Sequence, residues 1–332
     1  MFMNALSPQL LRNQISQIQG LKIIVIGDFI LDHFIFGSVH RQSPEAPVPV
    51  LDLESEIYMP GGAGNVAINL KKLGCDPVPF GVRGEDEAGS MLVKYLDESG
   101  IPTLGLHVDR SRPTTTKTRL IELPHQHRIR YDREVRTSLD DELRDALIRS
   151  ILDLLPEASG VLISDYAKGV VDQELLNQVQ RACQNQNIPW VVDPKPQHKQ
   201  FYRNARVLTP NTKEAAALSG MPCDSDDEVE RSGKALISEL HLEGLLITRS
   251  EKGMSLFPSP QAPVLHVRTH ARKVIDVSGA GDTVIAVFTA ALASGASWET
   301  AASLANLASG IAVSKLGTSF VTPDELYQAL AI

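Results

Sequence analysis

The sequence predicts an α/β fold: a doubly wound, mainly parallel sheet flanked by helices, with a small β-sheet lid. Three features carry that expectation. Short β-branched runs bounded by Gly, Pro or Asp recur through the chain, segments of helical period lie between them, and two long stretches follow neither rule. Apolar runs of strand length without alternation mark strands buried on both faces of a parallel sheet. Helices between such strands act as right-handed crossovers.

In chain order, Lys22–Gly27 (KIIVIG) is the first such run and closes on Gly27-Asp28. The stretch 34–58 then loses the helical period, and Val48-Pro-Val-Leu-Asp-Leu-Glu54 within it alternates. Helical patterns follow at Asn65–Leu73 and Ala88–Ser99, and the stretch 105–133 alternates again through Thr116-Lys-Thr-Arg-Leu-Ile-Glu-Leu123. Alternation marks half-exposed strands. Both stretches are therefore read as excursions forming a small sheet over one end of the main one, although a pair of long surface hairpins satisfies the same pattern. Helices at Leu139–Leu154, Gln173–Asn185 and Asp227–Leu240 then interleave with strands at Gly160–Ser164, Pro189–Asp193, Arg206–Thr209 and Gly244–Thr248. A strand at Arg272–Ile275 leads into two Ala-rich helical stretches, Gly279–Gly295 and Trp298–Lys315. Thr322-Pro-Asp-Glu325 opens a last helix with a capping box and Pro at its first position. No repeat or low-complexity linker intervenes, so residues 1–332 are read as one domain.

Composition narrows the function. Hydrophobic residues make up 43% and charged residues 22%, the balance of a globular chain with a core of its own. Against 32 Lys and Arg stand 40 Asp and Glu, a net charge of −8. That balance excludes a sequence-independent grip on nucleic acid or on an anionic membrane, while leaving room for a local basic cluster around a small anion. Three separated cysteines without C-x-x-C, and an N-terminus without a signal-peptide pattern, point to a reducing, cytoplasmic setting.

Two glycine-rich turns carry the chemistry. In Asp276-Val-Ser-Gly-Ala-Gly-Asp-Thr283, residues Gly279, Ala280 and Gly281 fall at a helix N-terminus, where free N–H groups and the helix dipole favour an anion. Asp282 in that first turn is either a helix cap or a reactive carboxylate. Pro60-Gly-Gly-Ala-Gly-Asn-Val-Ala67 also runs into a helix, and Gly62–Ala67 formally matches the dinucleotide fingerprint G-x-G-x-x-A. That fingerprint belongs after a buried apolar strand, whereas Asp52–Pro60 is charged and ends in Pro. P-loop, nucleophile-elbow and H-E-x-x-H patterns are absent. His125-Gln-His127 reads as two surface histidines rather than a metal pair.

Asp28 after the first strand, Gly61-Gly62 with Asn65, Asn211-x-x-Glu214 and Asp276-x-x-Gly-Ala-Gly-Asp282 occur in that order over residues 20–330. In this the chain resembles the ribokinase-like (PfkB) sugar kinases. Within that family it is most similar to the D-glycero-β-D-manno-heptose 7-phosphate kinases. Arg41-Gln-Ser-Pro-Glu-Ala-Pro-Val-Pro-Val50, Leu162-Ile-Ser-Asp-Tyr-Ala-Lys-Gly169, Thr209-Pro-Asn-Thr-Lys-Glu214 and Lys315-Leu-Gly-Thr-Ser319 carry the narrower likeness. Val277-Ser278 departs from the commoner residues after Asp276 and leaves the anion loop intact. The H-x-G-H nucleotidyltransferase motif of bifunctional relatives is absent from the sequence, so only the kinase activity is implied.

The resemblance implies a ribokinase-like fold and ATP, with Mg²⁺ and a monovalent cation, as cofactors. The amides of Gly279, Ala280, Gly281 and Asp282 would receive the transferring phosphoryl group, and Asp282 would take the proton of the attacking hydroxyl. Asn211, Thr212, Lys213 and Glu214 would organise the phosphates and Mg²⁺, Glu214 acting through water. A simple helix N-cap satisfies the Asn211/Glu214 spacing equally. Nucleotide contacts are expected from Thr248, Ser250, Gly253, Asp276 and Asn306. The sugar is expected against Asp28, Asp32, Gly61, Gly62 and Asn65, with loop capping an alternative for both aspartates. A substrate phosphate requires cations, and Arg41, Lys117, Arg119, Arg128, Arg130, Lys168 and Lys195 fall on expected lid strands or strand ends; Lys168, Arg119 and Lys117 are favoured. The family also suggests a homodimer through the lid, which would cover apolar residues such as Val48, Val50 and Leu120. Three other functions stay open at this stage: a kinase for ribose, fructose or a nucleoside, a dinucleotide-dependent oxidoreductase, and a catalytically silent sugar-binding regulator.

Overall fold

The computed structural model describes residues 6–122, 126–269, 274–315 and 319–331, with only the backbone of 126 and 127. Its first half comprises α1 (Pro8–Gln17), β1 (Lys22–Gly27), β2 (Phe29–Gln42), β3 (Pro49–Gly62), α2 (Ala63–Leu73), β4 (Asp76–Arg83), α3 (Glu87–Glu98), β5 (Leu106–Val108), β6 (Thr115–Glu122) and β7 (Gln126–Arg133). The chain continues through α4 (Asp141–Leu154), β8 (Gly160–Ser164), α5 (Gln173–Gln186), β9 (Trp190–Asp193), β10 (Val207–Leu208), α6 (Thr212–Ser219) and α7 (Asp226–Leu240). Then come β11 (Gly244–Thr248), β12 (Met254–Phe257), β13 (Leu265–Val267), α8 (Ala280–Ala293), α9 (Trp298–Ala312) and α10 (Pro323–Ala329).

Among the described residues the large sheet runs β13-β12-β11-β10-β9-β8-β1-β4-β5. It is parallel from β11 to β5, while β12 and β13 add antiparallel at one edge. Strand β1 shows why the sheet is covered on both sides. Its residues Ile23, Ile24, Val25 and Ile26 have no exposed surface, and the two-residue period sends them alternately to opposite faces. Ile23 and Val25 join the cluster built around α2, α8 and α9, with Val66, Ile285 and Leu304. Ile24 and Ile26 join the one around α4, α5 and α7, with Leu147, Val179 and Leu236. Each such side chain contributes about 1.5–3 kcal/mol by leaving water.

The stretches without helical period form the second sheet, β3-β2-β6-β7. Its extent differs from the sequence reading at both ends. Strand β2 begins at Phe29, directly after β1, and β3 continues to Gly62. The run Phe29–Leu31 is buried and apolar, so it carries no alternation to betray a strand of the small sheet. Leu106–Val108 does not belong to that sheet: it pairs with β4 at the edge of the large one. Val274 and Ile275 are not in a strand, and the Ile275 amide bonds instead to the Val313 carbonyl at 2.8 Å. Arg272 and Lys273 of that expected strand lie outside the described residues, as do His125 and the central residues of Lys315–Ser319. The Thr322–Glu325 capping box, with Pro323 opening α10, forms as the sequence predicts.

Candidate functional site

The site lies outside the carboxyl ends of the parallel strands, where open α/β sheets gather ligands. Gly279 caps α8 in the left-handed region at φ +75°, and no side chain caps the helix there. A Cβ at Gly281 would meet nothing within 4 Å, so this first turn turns bare backbone toward open space. Gly279, Gly281 and Asp282 line a cavity of about 200 Å³. Unsatisfied helix amides and the dipole make that wall a receptor for an anion.

Asp282 is not a cap. Its carboxylate is buried, accepting from Asn65 Nδ2 at 2.5 Å and from the Tyr166 hydroxyl at 3.0 Å. The Thr283 hydroxyl donates to Asn69 Oδ1 at 2.9 Å, and Asn69 Nδ2 donates to the Asn65 carbonyl at 2.9 Å. These polar bonds register α2 against α8 and so fix the position of Asp282. Burial raises its pKa; the Asn65 and Tyr166 hydrogen bonds and the Lys195 charge oppose the rise.

The turn ahead of α2 is close-packed. A Cβ on Gly61 would fall 2.1 Å from Asp32 Oδ2, and one on Gly62, at φ +57°, would fall 2.4 Å from the Asp28 carbonyl. The Gly62–Ala67 loop leaves β3, an antiparallel strand of the small sheet. That is not the buried parallel strand a dinucleotide fingerprint requires.

On the opposite wall of the cavity stand Asn211, Glu214, Asp193, Lys195 and Thr248. Asn211 and Glu214 form a reciprocal capping box at the start of α6, with bonds of 3.0 and 3.1 Å. The cap is thus real, and it coexists with a free face: Glu214 also holds Lys195 Nζ at 2.5 Å. Burial works against the Lys195 charge, but Asp193 and Glu214 outweigh it and its pKa is raised. Asp193 is pushed well above the usual carboxylate range by burial and by Glu214 and Asp282 nearby. Thr248 bridges to Asn211 across the strand ends. Thr212, Lys213, Ser250, Gly253, Asp276 and Asn306 do not line this cavity. Ser250 and Gly253 make the reversal between β11 and β12, Asp276 Oδ1 accepts from the Ser278 amide at 2.8 Å, and Asn306 donates to the Arg268 carbonyl at 2.6 Å.

The lid supplies the charges on the other side. Register pairs Asp32 with Lys117 and Phe34 with Arg119, and a step of two keeps all four on one face. Arg119 Nη1 lies 2.5 Å from Asp32 Oδ1, and Lys168 Nζ lies 2.6 Å from Glu134 Oε2. Lys117 has no carboxylate within ion-pair distance among the described residues; its ammonium sits 4.9 Å from the Tyr166 ring centre. Asp28 departs from the expected sugar contact. Its buried carboxylate accepts from the amides of Tyr166, Lys168 and Val170 at 2.8, 3.1 and 3.3 Å, the loop-capping alternative, and burial together with Asp165 pushes its pKa up to about 6.

Sequence reasoning missed four residues here. Tyr166, Asp193 and Thr209 line the cavity, and fully buried Asp165 holds the segments that carry Tyr166 and Lys195. Asp165 accepts from the Ala167 amide at 2.7 Å and the Tyr202 hydroxyl at 2.6 Å, and that hydroxyl receives the Lys195 amide at 2.8 Å. The available signal was positional: Asp165-Tyr166 and Asp193 close or follow β8 and β9, the strand ends where such folds place their polar groups.

The sequence profile of the pfkB family carbohydrate kinases matches residues 21–325. A protein of Trichlorobacter lovleyi called bifunctional protein HldE is 44% identical over 94% of this chain and 63% of its own length. The protein of the same name from Geobacter sulfurreducens is 45% identical, over 94% and 63%. The chain thus spans somewhat under two thirds of these relatives. Ribokinase from Giardia lamblia superposes with a TM-score of 0.76 at 20% identity, covering 94% of this chain and 99% of that one. Arabidopsis thaliana ribokinase, complexed with ribose and ATP, gives 0.72 at 20% identity, covering 95% and 99%. Both likenesses show a ribokinase-like fold.

Proposed function

The chain belongs to the pfkB family of carbohydrate kinases, and from that premise we propose that it transfers the γ-phosphoryl group of ATP to the anomeric hydroxyl of D-glycero-β-D-manno-heptose 7-phosphate. The product would be the 1,7-bisphosphate that leads to nucleotide-activated heptose. One observation carries the kinase reading: a buried carboxylate, Asp282, stands at the bare N-terminus of α8, beside amides open to a cavity. The motifs shared with heptose 7-phosphate kinases, and identity of 44–45% to the HldE proteins, support the choice of sugar.

Phosphoryl transfer depends on positioning and charge neutralisation more than on covalent chemistry. Asp282 orients the attacking hydroxyl and takes its proton as the bond to phosphorus forms. The amides of Gly279, Gly281 and Asp282 receive the charge on the transferring group; Ala280, expected to join them, instead donates its amide to the Val277 carbonyl at 3.2 Å. Lys195 is the one cation among the described residues lining the cavity, and it stands ready to pass from Glu214 to the phosphates. The residues fit Mg²⁺: Glu214, Asp193, Asn211 and the Thr209 and Thr248 hydroxyls present hard oxygen donors, and no hydrogen bond engages the Asp193 carboxylate among the described residues. Among the described residues no three His, Cys, Asp or Glu side chains converge there, which suits an ion bound through water and phosphate oxygens. When bound, Mg²⁺ would neutralise the phosphates, with Glu214 holding it through water. ADP release in potassium against choline buffer reads the monovalent-cation dependence.

A coupled ADP-release assay over a panel of sugars tests the reading, with heptose 7-phosphate expected as the fastest acceptor. Equal turnover of ribose or fructose would replace the sugar and leave the kinase standing. Gly281→Val is expected to fold, since its side chain enters open space, and to lower turnover about tenfold by filling the phosphoryl site. Loss of sugar affinity with ATP use intact would reassign the loop.

A homodimer through the lid belongs to the same reading. Leu53, Ile57, Ile129 and Tyr131 on the small sheet are exposed, more so than the half-buried Val50 and Leu120, and such a sheet calls for cover. Light scattering is expected to give the mass of two chains. No helix among the described residues is long and apolar enough to cross a membrane.

A further inference from the structure

We propose that the Tyr166 hydroxyl is a positioning residue for the proton acceptor, holding the Asp282 carboxylate in its reactive orientation. The inference rests on the reading of Asp282 given above and extends it to a residue outside both glycine motifs. Tyr166 is anchored at both ends: its amide donates to Asp28 at 2.8 Å and its hydroxyl to Asp282 Oδ1 at 3.0 Å. Asp28 and Asp165 fix the backbone turn from opposite sides, Asp165 through the Ala167 amide. The ring is flanked by Lys117 at 4.9 Å and Lys195 at 5.2 Å, one from the lid and one from the phosphate wall. Tyr166 therefore stands where the two halves of the site meet.

Asn65 engages Asp282 Oδ2 and Tyr166 engages Oδ1, so each oxygen has one protein donor and keeps a lone pair for substrate. A buried carboxylate with one donor only is free to rotate about its last torsion; with two it is fixed. The phenol keeps its own proton, because burial and the Asp282 charge raise its pKa well above the ordinary value. In the transfer step the proton of the attacking hydroxyl passes to Asp282 while its oxygen bonds to phosphorus and the bond to ADP breaks; Tyr166 gains and loses nothing. The charged groups bearing on Asp282 are Asp193 at the end of β9, Lys195 after it, and Asp32 on β2. Tyr166→Phe leaves all of these in place.

The test compares wild type, Tyr166→Phe, Asp282→Asn and the double variant by kcat, KM and pH profile. Tyr166→Phe is expected to lower kcat about tenfold with KM for ATP unchanged. Loss of a donor to the charged form raises the acid limb of kcat/KM by about one pH unit. In the Asp282→Asn background the Phe substitution is expected to change kcat less than twofold. A full tenfold loss in both backgrounds, or a loss confined to KM with the acid limb unmoved, would overturn the proposal. A melting curve of Tyr166→Phe matching wild type separates a lost hydrogen bond from a lost fold; a kcat that falls only in proportion to the folded fraction would also overturn it. Wild type that releases no ADP with any sugar phosphate would instead overturn the kinase reading itself.

Discussion

Asp282→Asn is expected to keep the fold and lower kcat by at least about 10²-fold, the usual scale for removing a group that accepts a proton in the transition state. The substitution is close to isosteric, and the site can satisfy it. The amide oxygen can face Asn65, while the amide nitrogen donates to the Tyr166 oxygen after the phenol turns its own proton away. The phenol proton then faces the cavity that Tyr166 lines, where water can accept it, so a melting curve near wild type is expected. Because Asp282 does not cap α8, the helix N-terminus and its affinity for ATP survive the change. Only basicity is lost. Calorimetric titration of ATP into the variant, set beside its kcat, checks both halves: near-wild-type turnover would remove Asp282 from the chemistry, and loss of ATP binding would make it part of the nucleotide site.

What the sequence disclosed follows from the range of the interactions. Each core strand announces itself because burial on both faces imposes an unbroken apolar run, and Lys22–Gly27 needs no partner to show it. The anion loop is legible for a similar reason: Gly279 adopts φ +75° and Gly281 leaves the backbone bare, requirements written into adjacent residues. Charge pairing is written nowhere in the local sequence. Arg119 and Asp32 are 87 residues apart, and their meeting depends on parallel pairing between β2 and β6. Asp28 misled for the same reason. A carboxylate after a core strand suits a sugar, and only the fold shows three amides of a distant turn converging on it.

Those pairings change which cation matters most for a substrate phosphate. Arg119 and Lys168 already face Asp32 and Glu134, so an arriving dianion must share them with a carboxylate. Lys117 has no ion-pair partner among the described residues, and Asp32 and Asp132 act on it only from longer range. Burial lowers its pKa, helped by the positive charges of Lys168 and Arg119 and resisted by Asp32, so its ammonium gains most from a new anion. A charge-assisted hydrogen bond in such a cleft is worth about 1.5–3 kcal/mol. At about 1.4 kcal/mol per decade, Lys117→Ala is expected to raise KM for heptose 7-phosphate roughly ten- to a hundredfold, with KM for ATP unchanged. Lys168→Ala and Arg119→Ala should follow with smaller increases. Added salt is expected to weaken sugar-phosphate binding in wild type and to do so less in Lys117→Ala. The pH dependence has a definite sign: a lysine with a lowered pKa loses its charge at lower pH than usual, so wild-type KM rises on the alkaline side, and the variant loses that rise. Steady-state kinetics at two salt concentrations across the alkaline range measure all of this. A Lys117→Ala enzyme with wild-type KM and salt response would move the phosphate away from the lid, and equal use of ribose would dispense with the phosphate altogether.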